Sequence, residues 1–366
     1  MATSADIGAR ARQAITTTMP DLAQGQIADR IGMTADALSR ALNGKRAFSA
    51  IELAQLADLL DVDIHELITG EPDPKRVVFA ARHAYDFATG ARDVPGHADD
   101  AATLEDIKLA YRQAGEIRPS LELPRSPDGI RSALGPDFIR PFAERLERFF
   151  EVDVIRVAEL STAYCFTYLG RHVIVIPAVG NWFRENWDIA HELGHLTARP
   201  LIDGVVTAAQ EGAANAFAAE LLLPAAGIRR IDWQNITDRD LAGLVWERGV
   251  STKALAKRLA SLGLQSSAVE RWAPQATQRL LRHHWDSPEG SLVDEITRRT
   301  ELASTRRFPL TLESSHLRRI ETGEIGKATL AWMLGIRPDA LDVDTPPEPS
   351  DVDTTELANE LGLSTS

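Results

Sequence analysis

The stretch Asp188-Ile189-Ala190-His191-Glu192-Leu193-Gly194-His195 decides how the rest of the chain is read. Between residues 182 and 196 there is no proline, and Gly194 is the only weak helix former, so a continuous helix is expected. Positions i and i+4 of a helix share a face, which lets His191 and His195 present both imidazoles to one ion. Glu192 lies close to the same point and is suited to hold a water and take its proton as a general base. Zinc accepts such ligands and, in catalytic sites, usually takes a third from the protein. With nine histidines in the chain, chance yields H-E-x-x-H on the order of one or two times in a hundred. The surroundings must carry the rest of the assignment.

Upstream, three β-rich runs at 152–157, 163–169 and 172–178 predict a small sheet, with Gly170-Arg171 as the tight turn of a hairpin. Downstream, after a short loop at 200–205, residues 208–223 are rich in Ala and Leu and stop at Pro224, a second long helix. Glu211 near its start is the best third ligand. The Gly and Ala of Glu211-Gly212-Ala213-Ala214-Asn215 suit close packing on the first helix, where Gly194 supplies matching clearance. Asn215, one turn on, is placed to hydrogen-bond a ligand. Glu220 is the rival, but nine residues along a helix turn it to nearly the opposite face, so both cannot bind one ion without distortion.

These two segments together resemble the ImmA/IrrE family of metallopeptidases, which pairs the H-E-x-x-H helix with a Glu-x-x-Ala-Asn-x-Phe-Ala helix ending in Leu-Leu and Pro. Here that second helix reads Glu211 through Asn215, Ala216-Phe217-Ala218-Ala219-Glu220 and Leu221-Leu222-Leu223-Pro224. Arg184, the strand pair with Ala163-Tyr164, and the runs Gly249-Val250-Ser251, Arg258-Leu259 and Leu262-Gly263-Leu264 extend the likeness over roughly 140–265. The resemblance implies a zincin-like domain in which His191, His195 and Glu211 bind Zn2+ and Glu192 is catalytic. It also implies site-specific cleavage of a helix-turn-helix repressor or an antitoxin-like protein. An oxyanion-stabilising donor is not evident: Tyr164 and Tyr168 are candidates, with sheet packing as the alternative for both.

Residues 22–68 read as short amphipathic helices closed by Gly70-Glu71-Pro72-Asp73-Pro74. Gln26 to Ile31, Gly32, and Thr34 to Asn43 have the proportions of helix, turn and helix, with Thr34 a good N-cap. The segment resembles the XRE/Cro repressor family. That likeness sends the helix from Thr34 to Asn43 into the DNA major groove, with Thr34, Asp36, Ser39 and Arg40 toward bases or phosphates and Lys45 and Arg46 near the backbone. A module that binds protein or dimerises is the alternative. Few basic residues stand among Asp21, Asp29, Asp36, Asp58, Asp61 and Asp63, so homodimerisation would help by doubling the contacts.

The whole chain, 366 residues of which 44% are apolar, is large enough for two or three cores. A net charge of −13 argues against wrapping nucleic acid by bulk electrostatics. One cysteine, Cys165, excludes an intrachain disulfide and suits the reducing cytoplasm. The first twenty residues lack a signal-peptide core, and no run approaches the roughly 20 apolar residues that span a bilayer, so no membrane partner is expected. The expected fold is α+β and mostly helical: an all-α helix-turn-helix domain at 1–72, a peptidase domain at 76–265 with its core at 140–265, a helical domain at 266–343, and a disordered tail at 344–366. Residues 76–150 read as mainly helical, with loops at 90–100 and 119–129. The run Leu317 to Ile336 echoes the N-terminal module, either as a degenerate copy or as ordinary helix packing. Adjacent His283 and His284 share no helix face and are not read as ligands. The leading reading is a zinc endopeptidase fused to a DNA-binding module. The alternative is a transcription regulator whose peptidase-like domain senses a ligand, metal or stress signal without proteolysis.

Overall fold

The computed structural model describes residues 3–20, 22–60, 62–71, 78–81, 84–85, 92–93, 97–198, 207–286 and 294–343. The chain divides into two compact units, Met1–Arg76 and Val77–Ser366. The expected tail at 344–366 and the loop at 200–205 lie outside the described residues.

The first unit contains α1 (Ser4–Thr18), α2 (Gln24–Arg30), α3 (Ala35–Leu42), α4 (Ala50–Leu60) and α5 (Ile64–Thr69). Gly32 at φ +66° makes the turn, and Thr34 accepts the Ala37 N–H at 3.2 Å to start α3. Ile27, Ile31, Leu38, Leu56 and Leu60 form the core. The helix α1 stands outside the recognised motif yet belongs to the same body. Its Gly8 passes so close to α3 that a Cβ there would sit 2.5 Å from the Ala41 carbonyl oxygen. Its Arg10 and Arg12 donate to the Leu67 and Leu42 carbonyls at 2.9 and 2.7 Å, satisfying C-terminal acceptors of α5 and α3. A polar sequence with small residues on its packed face gave the periodicity little to register.

The second unit opens with β1 (Val78–Ala81), followed by β2 (Ala84–Tyr85) and β3 (Arg92–Asp93), which pair with each other. The helices α6 (His97–Gln113), α7 (Pro127–Leu134) and α8 (Phe142–Phe150) follow, then β4 (Asp153–Val157), β5 (Tyr164–Tyr168) and β6 (Arg171–Pro177). The sheet runs β1-β5-β6-β4, with β4 parallel to β6 and the other pairs antiparallel. Residues 78–81, expected within a helical stretch, are therefore a strand: a short apolar run carries no period long enough to separate the two, and β5 supplies the ladder. The expected polar loops also end earlier, since α6 starts at His97 and α7 at Pro127. The β5–β6 hairpin turns on Leu169-Gly170, at φ +48° and +80°, with Tyr168 facing Arg171, one residue earlier than the sequence suggested.

Alternate side chains divide the sheet between two cores. Val154, Cys165, Ile174 and Ile176 face α8 and α9 (Trp182–Thr197). Ile155, Val157, Tyr164, Phe166, Tyr168, Val173 and Val175 face the other way. The remaining helices are α10 (Ala208–Leu222), α11 (Ala225–Ile228), α12 (Asp238–Arg248), α13 (Thr252–Ser261), α14 (Ser267–Trp272), α15 (Thr277–His284), α16 (Glu295–Ser304), α17 (Leu310–Glu321) and α18 (Ala328–Leu334). The expected separation at 265/266 has no counterpart in the packing. Trp272, Leu281 and Ile296 join the first core, while Phe308, Leu312, Ile320 and Met333 cover the second face of the sheet. Arg307 also exchanges two backbone hydrogen bonds of 2.9 Å with Arg156, extending the β4 edge. The Leu317 to Ile336 run thus serves as a cover for the sheet.

Candidate metal centre

Asn181 accepts the Arg184 N–H at 3.1 Å and starts α9, which then runs without interruption beneath the sheet. Gly194 is where α10 crosses it most closely: a Cβ there would stand 3.0 Å from the Ala214 Cα and 3.2 Å from the Phe217 Cβ. That approach carries Glu211 up to the histidines. Gly212, by contrast, faces open space and takes no part in the packing.

The His191 and His195 Nε2 atoms lie 3.1 Å apart, and the Glu211 carboxylate oxygens lie 3.3 Å from the first and 3.6 Å from the second. His191 is fully buried and His195 nearly so. Ligand atoms held about 2.05 Å from a tetrahedral ion stand about 3.3 Å from one another, so the three separations fit zinc. Among the described residues this is the group of histidines, cysteines and carboxylates gathered closely enough to hold an ion. Burial would raise the Glu211 pKa, but hydrogen bonds and charge from both histidines outweigh it and hold the carboxyl well below its usual range.

Glu192 is completely buried, and neither of its oxygens receives an N–H or O–H donor from the described residues. The weakly donating Cys165 thiol on β5 approaches it. Burial pushes the Glu192 pKa up, and the neighbouring His191 and His195 oppose that rise. A carboxylate desolvated in this way is costly unless a cation or an ordered water completes its surroundings. Both belong to the chemistry that the donor set suits. Cys165 is the contact that sequence reading missed: burial, then Glu192, drives its thiol pKa well up, and nothing in the order of residues signals that β5 meets α9 there.

The other expected residues are placed differently. Asn215 is exposed and, among the described residues, makes no hydrogen bond to the three ligands; it lines a cleft with Asp188. Glu220 pairs with Arg258 and accepts the Ala225 N–H at 3.1 Å, away from the ion site. Tyr164 and Tyr168 both lie on the sheet face turned away from α9, and Tyr164 donates to Asp100 at 2.7 Å. Asp100 also accepts the backbone N–H and hydroxyl of Ser161 at 2.9 and 2.7 Å, while Arg184 bridges the Ser161 carbonyl and Asp188 at 3.3 and 3.2 Å. This network anchors the first half of α9 to the loop before β5.

In the first unit, Thr34, Asp36, Arg40 and Lys45 are exposed and Ser39 is half-buried. Arg46 is otherwise engaged: it pairs with Glu52 at 2.5 Å, and Glu52 accepts the Ser49 N–H at 2.8 Å at the start of α4. A structural use of Arg46 competes with the phosphate contact expected of it.

Residues 156–260 match the peptidase M78 family model, described as the IrrE N-terminal-like domain, and residues 21–67 match a helix-turn-helix model. Both resemblances read from the sequence are thereby borne out, in the same order along the chain. No curated protein and no solved structure matches the chain. Among the described residues no helix is long and apolar enough to cross a membrane.

Proposed function

We propose that this chain, which joins a helix-turn-helix DNA-binding domain to an ImmA/IrrE-like peptidase domain, is a zinc-dependent endopeptidase. It regulates transcription in the cytoplasm by cutting a repressor-type or antitoxin-like protein. The observation that carries the reading is the convergence of His191, His195 and Glu211 at tetrahedral spacing beside a buried, donor-poor Glu192. Zinc held there would polarise a peptide carbonyl and acidify a water molecule. Glu192 would take the proton of a water held there and deliver it to the leaving nitrogen. The sheet and α10 keep bulk water from both histidines, which strengthens every charge interaction at the site. Glu192→Gln is expected to retain zinc near one per chain and to lower cleavage of a co-expressed repressor by about 10²- to 10⁴-fold. Zinc-free wild-type protein from zinc-replete cells would sink the proposal.

One observation favours a second reading. Tyr164 and Tyr168 are turned away from the site, leaving no evident oxyanion donor among the described residues. A regulator that senses a signal through a peptidase-like domain without proteolysis would not need one. It predicts effector-dependent operator binding unchanged in Glu192→Gln. Operator binding indifferent to effectors, with fragments appearing in the co-expressed partner, would rule it out.

A further inference from the structure

A second cavity, of about 1160 Å³, opens between α8, the first turns of α9, α12 and α16. It lies on the α9 face that carries Trp182, Glu185 and Asn186, more than a quarter turn from the face of His191 and His195. Its walls are rich in arginine although the chain as a whole is acidic. Most of these cations are already balanced. Arg156 pairs with Glu185, Arg306 with Glu159, Arg298 with Glu295 at 2.8 Å, and Arg307 with Glu147 at 2.7 Å.

Arg299 is one exception. No carboxylate lies within 4.0 Å of it among the described residues, and its guanidinium sits against both Trp182 and Trp246, 4.1 and 4.3 Å from the centroids of two rings that pack edge to face on each other. Burial, with Arg140 adding repulsion, pulls its pKa down to about 10, so it remains a cation at neutral pH. Arg140 reaches only Asp137, at 3.6 Å, and that carboxylate is largely solvated. Arg145 spends one donor on the Leu134 carbonyl at 2.5 Å and has no carboxylate partner among the described residues. Trp285, half-buried and stacked on Trp246 at 3.9 Å, adds a flat apolar wall to the same space. Glu295 and Glu185 offset part of the Arg299 charge from beyond salt-bridge reach, and a cation set against aromatic rings with a second cation acting on it is suited to receive an anion. The volume exceeds what a bare inorganic ion requires and suits a metabolite-sized ligand.

We propose that this cavity is a binding site for a nucleoside polyphosphate, its phosphates held by Arg299 and Arg140 and its ring set against the Trp285 wall. The site shares α9 with the metal centre but none of its ligands, and the proposal does not depend on peptidase activity.

Isothermal titration of the full-length, zinc-loaded protein at 0.15 M salt with magnesium tests it, using ATP, pyrophosphate and adenosine as separate probes. ATP is expected to bind at one site per chain, pyrophosphate at least tenfold more weakly, and adenosine without detectable heat. Arg299→Met is expected to weaken ATP binding at least tenfold. Because Arg299 is packed against two tryptophans, Arg140→Gln on the cavity rim provides a second variant, expected to weaken it at least threefold with an unchanged far-UV circular dichroism spectrum. Absence of saturable ATP binding up to 1 mM, or unaltered affinity in both variants, overturns the site. Pyrophosphate binding as tightly as ATP overturns the ligand class.

Discussion

Gly194 has two roles to reconcile at the scale of single residues. Glycine costs a helix interior about 1 kcal/mol relative to alanine, yet here the missing Cβ is what admits Ala214. Gly194→Ala is expected to lower stability by about 1–2 kcal/mol net, overpacking outweighing the gain in propensity, and to loosen zinc because Glu211 is carried on the displaced helix. A rise in Tm with unchanged zinc affinity would contradict this. In the helix-turn-helix unit, Lys45 is exposed and Arg46 is ion-paired, so different roles are expected of them. Lys45→Ala is expected to weaken binding uniformly across sequences and reduce the salt slope by about 1. Arg46→Ala is expected to show its effect in thermal stability of the unit, with the salt slope kept. His191 and His195 were legible because i and i+4 spacing on a helix dictates a shared face, and Glu211 because a second Ala-rich helix suited to close packing starts beside it. Cys165 and Asp100 were not, since each meets the site region through a contact between elements distant in sequence.

At the level of elements, a helix announces itself when its pattern is long and its caps are present. The α9 and α10 segments have both, with Asn181 and Thr207 as caps, and they occur close to where the sequence puts them. The four-residue β1 strand offers no such pattern, and its state is set by the partner it pairs with. The β5–β6 turn shows how one residue of register escapes composition. Gly170 marks a tight turn, but the hydrogen-bonded pair Tyr168 and Arg171 makes Leu169 the other turn residue, in the left-handed region at φ +48°. A leucine there costs about 1–2 kcal/mol, and the side chain is 40% exposed. Leu169→Asn is expected to raise stability by about 0.5–1 kcal/mol through relief at this position. A lower Tm on thermal unfolding would show that the leucine side chain packs to greater effect than its backbone strains.

Across the whole molecule, the two compact units make separate expectations for the metal. Zinc that binds only the folded site stabilises it by about 4 kcal/mol at a free concentration a thousandfold above Kd. Chelation is therefore expected to lower the transition of the 77–366 unit and leave that of the 1–76 unit in place. A single calorimetric profile unchanged by chelator would mean that the His-His-Glu group holds no ion in the folded protein. By itself, the sequence determined what depends on near neighbours along the chain: helix periods, caps, the i and i+4 pairing of His191 and His195, and the helix-turn-helix. Only the tertiary structure decided what depends on distant residues meeting. It assigned the described residues of 266–343 to the same cores as the sheet, turned both tyrosines away from the candidate metal centre, and set Arg299 against two tryptophans without an ion-pair partner among the described residues. The physical reason is that burial and charge compensation are properties of the neighbours in space, and local periodicity constrains only which face a residue presents, never what that face will meet.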